Sequence, residues 1–85
     1  METPDTVYLV IEYDTPVYAS EDKSDCEIYK ENREIVTADY YELREYELKG
    51  SKSGDEIMDV DGEVSFMYDE IINIWRKSLN VEIIY

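Results

Sequence analysis

Apolar and polar positions alternate most regularly near the N-terminus. In VYLVIEY, residues 7–13, the side chains of Val7, Leu9, Ile11 and Tyr13 share one face of an extended chain, and Val10 adds apolar surface to the other. A strand apolar on both faces suits the middle of a sheet. Asp14-Thr15-Pro16 supplies a turn, with Pro16 setting φ, and Val17-Tyr18-Ala19 returns as a second strand. Ser20 is placed to cap a helix, with Glu21 and Asp22 in the first turn, where the helix dipole favours negative charge. Ser24-Asp25-Cys26-Glu27 offers an alternative capping box. Cys26, Ile28, Tyr29, Ile35 and Val36 form only a thin apolar stripe, which predicts a mostly solvated helix over about 21–34.

YYELREYEL, residues 40–48, reads as a strand partly polar on both faces, and KGSKSG after it marks a flexible loop over about 49–56. Residues 57–66 admit two readings. Asp61-Gly62 between Met58/Val60 and Val64/Phe66 signals a tight hairpin; alternatively, Asp61 or Ser65 caps a helix. Val64, Met67, Tyr68, Ile71, Ile74, Trp75 and Leu79 recur at helical spacing and predict a helix over at least 67–79. Arg76 and Lys77 lie in its last turn and Asn80 can end it, after which Val81–Tyr85 reads as a short strand. The order is β-β-α-β-(loop or hairpin)-α-β. It predicts a single α+β domain over residues 1–85, with a mainly antiparallel sheet of three to five strands and two helices packed on it.

Composition changes this picture in one respect. The chain has 85 residues, with 22 Asp or Glu against 8 Lys or Arg, no His, and a net charge of −14. Such charge often marks disorder, but 44% hydrophobic content and nine Tyr argue for a small core. Direct binding to nucleic acid or to an anionic membrane is disfavoured by repulsion. The single Cys26 cannot form an internal disulfide, and no apolar run approaches a membrane span. The start, Met-Glu-Thr-Pro-Asp, lacks the positive charge of a signal peptide. A soluble cytoplasmic protein is expected.

Catalytic and metal chemistry find little footing. Cys26 has no His partner and sits among Asp22, Asp25 and Glu27, which blunt a thiolate. DVDGEVSFMYDEI, residues 59–71, looks like the second half of an EF-hand loop. Placing Gly62 at the sixth position puts Ile57 first and Tyr68 twelfth, and neither replaces a carboxylate. The stretch reads as a turn before a helix. Zinc spacing, a phosphate-cradling loop and a nucleophile elbow are all missing. No catalytic residue, metal or cofactor is therefore expected.

The charge is spread along the chain. Residues 1–20 hold four acids and no cation, 21–35 six against three, 36–50 four against two, 51–62 four against one, and 63–85 four against two. Acids on strands and helices have fixed positions, so they can copy a phosphate array. Strand residues two apart stand about 6.6 Å from each other on one face, close to the spacing of neighbouring phosphates, so Glu45 and Glu47 can imitate two of them. Glu27, Glu31 and Glu34 make a second row on one helical face. Glu42 belongs to the same acidic strand, and Tyr40, Tyr41 and Tyr46 are candidate aromatic anchors, since Tyr gives large contact area at low entropy cost. Tyr8, Tyr13, Tyr18, Tyr40, Tyr41 and Tyr46 all fall in predicted strands, and most of them read as core or sheet-face residues.

VYLVIEY, VYASEDKSDCEIY and YYELREYEL together resemble a group of uncharacterised small phage and bacterial proteins. The shared pattern is a strand, an aromatic-Ser-acid-Lys opening to a helix, and a strand ending in Glu-Tyr-Glu-Leu, over residues 7–48. In size and charge the chain is also similar to phage-encoded DNA-mimic inhibitors, including anti-restriction proteins, uracil-DNA glycosylase inhibitors and anti-CRISPR proteins. Neither likeness carries site residues over. The expectation is an acidic, non-enzymatic inhibitor, in the host cytoplasm if phage-encoded, that occludes the basic groove of a nucleic-acid-binding host protein or complex. The alternative is an interaction module without mimicry, or a homodimer joined through residues 40–48 or 81–85.

Overall fold

The computed structural model describes residues 3–80. Its elements are β1 (Thr6–Glu12), β2 (Thr15–Ser20), α1 (Lys23–Thr37), β3 (Tyr41–Glu47), β4 (Glu56–Met58), β5 (Ser65–Met67) and α2 (Tyr68–Ser78). Strands β2, β1 and β3 form an antiparallel sheet in that order, and β4 and β5 form a separate antiparallel pair. The α+β class and the central place of β1 agree with the sequence pattern. The strand expected at Val81–Tyr85 lies outside the described residues.

Pleating of β1 divides the core into two. Val7, Leu9 and Ile11 pack with Ala19, Tyr46, Leu48, Ile57, Phe66 and the α2 residues Ile71, Ile72 and Trp75. Val10, on the other face, packs with Tyr18, Tyr41 and Cys26 of α1. The two helices thus cover opposite faces of the three-stranded sheet. A helix with apolar residues at 71, 72 and 75 buries a broad stripe, whereas α1 fully buries only Cys26. Stacking of Tyr29 on Tyr18, with ring centroids 4.4 Å apart, extends the thinner layer.

Local details depart from the sequence reading in several places. The β1–β2 turn is Tyr13-Asp14 rather than Asp14-Thr15-Pro16, and both turn residues have positive φ (45° and 68°). A two-residue hairpin whose twist matches its strands needs this geometry, so Tyr13 leaves the strand face. Pro16 pairs with Ile11 inside edge strand β2, beside a register shift that follows the Val10–Tyr18 pair. An edge strand tolerates a residue with no N–H. The cap of α1 is Asp22, whose Oδ1 accepts from Ser24 N–H at 2.9 Å; neither Ser20 nor Ser24 takes that role. Ser20 Oγ instead accepts from Asp22 N–H at 3.0 Å, just ahead of the helix. The helix then runs to Thr37, three residues past the expected end, and stops at Ala38 in the left-handed region. Ile35 and Val36, expected in its apolar stripe, are exposed.

Residues 57–66 form a hairpin, but its loop spans residues 59–64 rather than two residues. Asp59 organises that loop. Its Oδ1 accepts from Glu63 N–H (2.7 Å) and Val64 N–H (2.9 Å), and Gly62, at φ 72°, turns the chain back. Helix α2 begins at Tyr68 without a side-chain cap; neither Asp61 nor Ser65 caps it, and Tyr68 N–H donates to Asp55 O at 2.7 Å. The loop around residue 53 is tied to this helix start, because Asp69 accepts from Ser53 Oγ at 2.8 Å and Gly54 N–H at 3.1 Å.

Candidate acidic interaction face

Helix α1 positions the first acids. Glu27, Glu31 and Glu34 recur at four- and three-residue intervals, so they stay on one flank, and all three are exposed. With Lys23, Lys30 and Leu43 they line a shallow groove of about 520 Å³ between α1 and edge strand β3. Lys30 Nζ lies 3.2 Å from both carboxylate oxygens of Glu34, so that acid is partly neutralised. A second hollow of about 290 Å³ shares Lys23 and Leu43 with the first and adds Tyr8, Glu45 and Asp61. Alternation along β3 puts Glu45 and Glu47 on the same side as Leu43, facing α1. Five of the six expected acids therefore share one side of the sheet, interleaved with two lysines.

Glu42 lies on the other face. There Arg44 donates from Nε to Glu42 Oε2 at 2.8 Å, from Nη1 to Asp59 Oδ2 at 2.9 Å, and from Nη2 to Glu63 Oε2 at 3.3 Å. The side chain of Asp59 is fully buried. Burial pushes its carboxyl pKa up, but the Val64 and Glu63 amides and the Arg44 guanidinium outweigh that and hold it below the usual range. Both oxygens of Asp59, one of the two residues that fit the EF-hand pattern, are thus committed within the protein. Among the described residues, no group of three or more His, Cys, Asp or Glu is arranged to hold a metal ion. The one cation within 40–48 ahead of Lys49 was the available signal for this network; its partner Asp59, fifteen positions on, was not legible.

Of the three expected aromatic anchors, only Tyr40 is exposed. Tyr41 and Tyr46 are core residues that offer no surface to a partner. Tyr41 OH donates to Glu12 Oε2 at 2.5 Å, and Tyr46 OH donates to Val64 O at 3.0 Å. Burial raises the Tyr46 phenol well above its ordinary pKa, so it stays protonated and keeps this donor role. Cys26 is likewise interior. Its Sγ donates to Tyr8 O at 3.3 Å, and burial, with Asp25, Asp22 and Glu27 adding to it, pushes its thiol up to about 12.

No helix among the described residues is long and apolar enough to cross a membrane. No protein-family model, curated protein or solved structure matches the chain.

Proposed function

We propose that this protein is an acidic inhibitor of the phage or mobile-element type. It binds the basic groove of a nucleic-acid-handling host protein or complex, of the anti-CRISPR or anti-restriction class, and occludes it without performing chemistry. The observation that carries this reading is the gathering of Glu27, Glu31, Glu34, Glu45 and Glu47 on the α1 side of the sheet, on two rigid elements. Fixed carboxylates lose little entropy on meeting Lys and Arg, and a net charge of −14 steers such a partner toward them.

The test is capture of host-lysate proteins on the immobilised chain, followed by challenge with duplex DNA. Mimicry requires that the captured protein be displaced by DNA, and that Glu45→Lys with Glu47→Lys weaken capture by roughly tenfold or more, about 1.4 kcal/mol, with the fold intact. Capture indifferent to both DNA and charge reversal overturns the reading. A second reading, an interaction module without mimicry, is favoured by exposed aliphatic side chains at the end of α1. It requires association that survives high salt, which light scattering measures.

A further inference from the structure

The two outer edges of the β2-β1-β3 sheet differ. Strand β2 closes its own. Pro16, opposite Ile11, has no N–H to offer, and Ala19 N–H donates to Oγ of the buried Ser78 of α2 at 2.9 Å. Strand β3 leaves part of its edge open. Just past it, Leu48 N–H donates to Asp5 O at 2.7 Å, and alternation from that bond aims the backbone of Tyr46, Arg44 and Glu42 at β1. Glu47, Glu45, Leu43 and Tyr41 therefore aim theirs away from the sheet. Val60 N–H donates to Glu45 O at 3.0 Å, so the 59–64 loop closes the far end of this edge. The N–H and C=O of Leu43 and the N–H of Glu45 have no partner among the described residues. Unpaired groups in a row on a strand edge are a template for a further strand.

The open stretch runs along the groove beside α1. Leu43 lines both hollows there, one with Glu27 and Glu31, the other with Tyr8, Glu45, Val60 and Asp61. Free edge, apolar floor and acidic rim are therefore continuous. Glu27, Glu31, Glu45 and Asp61 form no ion pair among the described residues. The cations that line the groove are Lys23, Lys30, which Glu34 holds, and Arg44, which three carboxylates hold. A residue paired with Leu43 across the edge puts its side chain on the face of Leu43, toward α1. The next such residue stands about 6.6 Å further on, close to the separation of Glu27 and Glu31 one helical turn apart. We propose that the β3 edge from Tyr41 to Glu45 accepts an extended segment of a partner protein with Lys or Arg at alternate positions. The segment adds a fourth strand. Its backbone pairs with Leu43 and Glu45, its cations meet the four unpaired acids, and its alkyl stems cover Leu43 and Val60. The β3 strand of a second copy would set Glu42, Glu45 and Glu47 against the same acids, which disfavours that occupant. The proposal goes beyond the inhibitor reading, because its occupant follows from the groove and needs no nucleic-acid-handling partner.

The test is an NMR titration of the isotope-labelled protein with the blocked peptide Lys-Val-Lys-Val-Lys at low salt. Two derivatives keep its charge, one N-methylated at every Lys and the other at every Val. With the Lys side chains toward α1, only the Lys backbone nitrogens face β3. The parent peptide is expected to shift the Leu43 and Glu45 amides and to slow their hydrogen exchange. The Lys-methylated derivative should bind roughly tenfold more weakly than the Val-methylated one. Glu27→Gln with Glu31→Gln, on the exposed flank of α1, should weaken the parent peptide roughly threefold. Equal binding of the two derivatives, unprotected Leu43 and Glu45 amides, or no binding at all overturns the proposal. Protection of these amides without peptide that grows with protein concentration assigns the edge to a second copy and overturns it too. Failure of the mimicry reading is seen separately, in the DNA challenge, because no DNA enters this titration.

Discussion

The two faces of the β2-β1-β3 sheet are built on opposite terms. The α2 side buries eleven residues in one cluster, with Trp75, Ile71 and Phe66 seated on Val7, Leu9 and Tyr46. The α1 side buries four. The first face has the area to hold the fold together. The second has a thin core beneath a helix that stays largely in water, and it carries most of the candidate acids. A small acidic domain that concentrates its apolar burial on one side leaves the other side free to vary its surface charge. The proposed recognition surface therefore lies apart from the side that carries most of the apolar burial.

This contrast can be broken most directly from the α2 side. Trp75→Ala or Ile71→Ala should cost about 3–5 kcal/mol, which for a domain this small approaches the whole folding free energy. Cys26→Ala on the α1 side should cost about 1 kcal/mol. Urea unfolding measures both, and equal losses would mean that α1 contributes as much as α2.

Asp59→Asn comes next, at about 1–3 kcal/mol, because it keeps the amide acceptor but removes the charge opposite Arg44. Its pH dependence has a fixed sign. The Asp59 carboxyl is held below its ordinary value of 3.8, so the stability it contributes is present above about pH 5 and fades as pH falls through the depressed value. The gap between wild type and Asp59→Asn, read from thermal melts, should therefore be constant near neutrality and close in acid. A gap that widens in acid would contradict the assignment.

Reversing Glu27 and Glu31 to Lys should change stability by less than about 0.5 kcal/mol, since exposed charges contribute little and self-repulsion is relieved. The smallest effect belongs to Ile35→Ser with Val36→Ser, within about 0.5 kcal/mol in either direction, because their side chains are already solvated. A loss of 2 kcal/mol or more (about four times that bound) from this pair would show that they belong to the core after all.

Much of the architecture was legible because it follows from local chemistry. Alternation in VYLVIEY predicts a central strand with two apolar faces, and the spacing of Ile71, Ile74 and Trp75 predicts α2 nearly to its ends. The turn at Tyr13-Asp14 was not legible, because a proline two residues on is the louder local signal and a tyrosine rarely takes positive φ. Nor was the exposure of Ile35 and Val36. Their apolar side chains suggest burial, but Ile35 stands two and a half turns from Cys26, on the opposite side of α1, and Val36, two turns from Tyr29, stays in solvent. For the tyrosines of β3 the difficulty was different. Tyr40, just ahead of β3, and Tyr41 and Tyr46 within it carry the same side chain in one acidic stretch, and only their neighbours on adjacent elements bury two of them and leave the third in solvent.

Composition and periodicity alone determined the charge of −14, the α+β class and the succession of β1, β2, α1, β3 and α2, because each depends on residues close together in the chain. Tertiary structure alone decided which acids stand together. It set Glu42 apart with Arg44 and Asp59, and it gathered Glu27, Glu31, Glu34, Glu45 and Glu47 on the α1 side. The physical reason is that a carboxylate's role depends on what lies within a few ångströms of it, and those neighbours come from elements far apart in sequence.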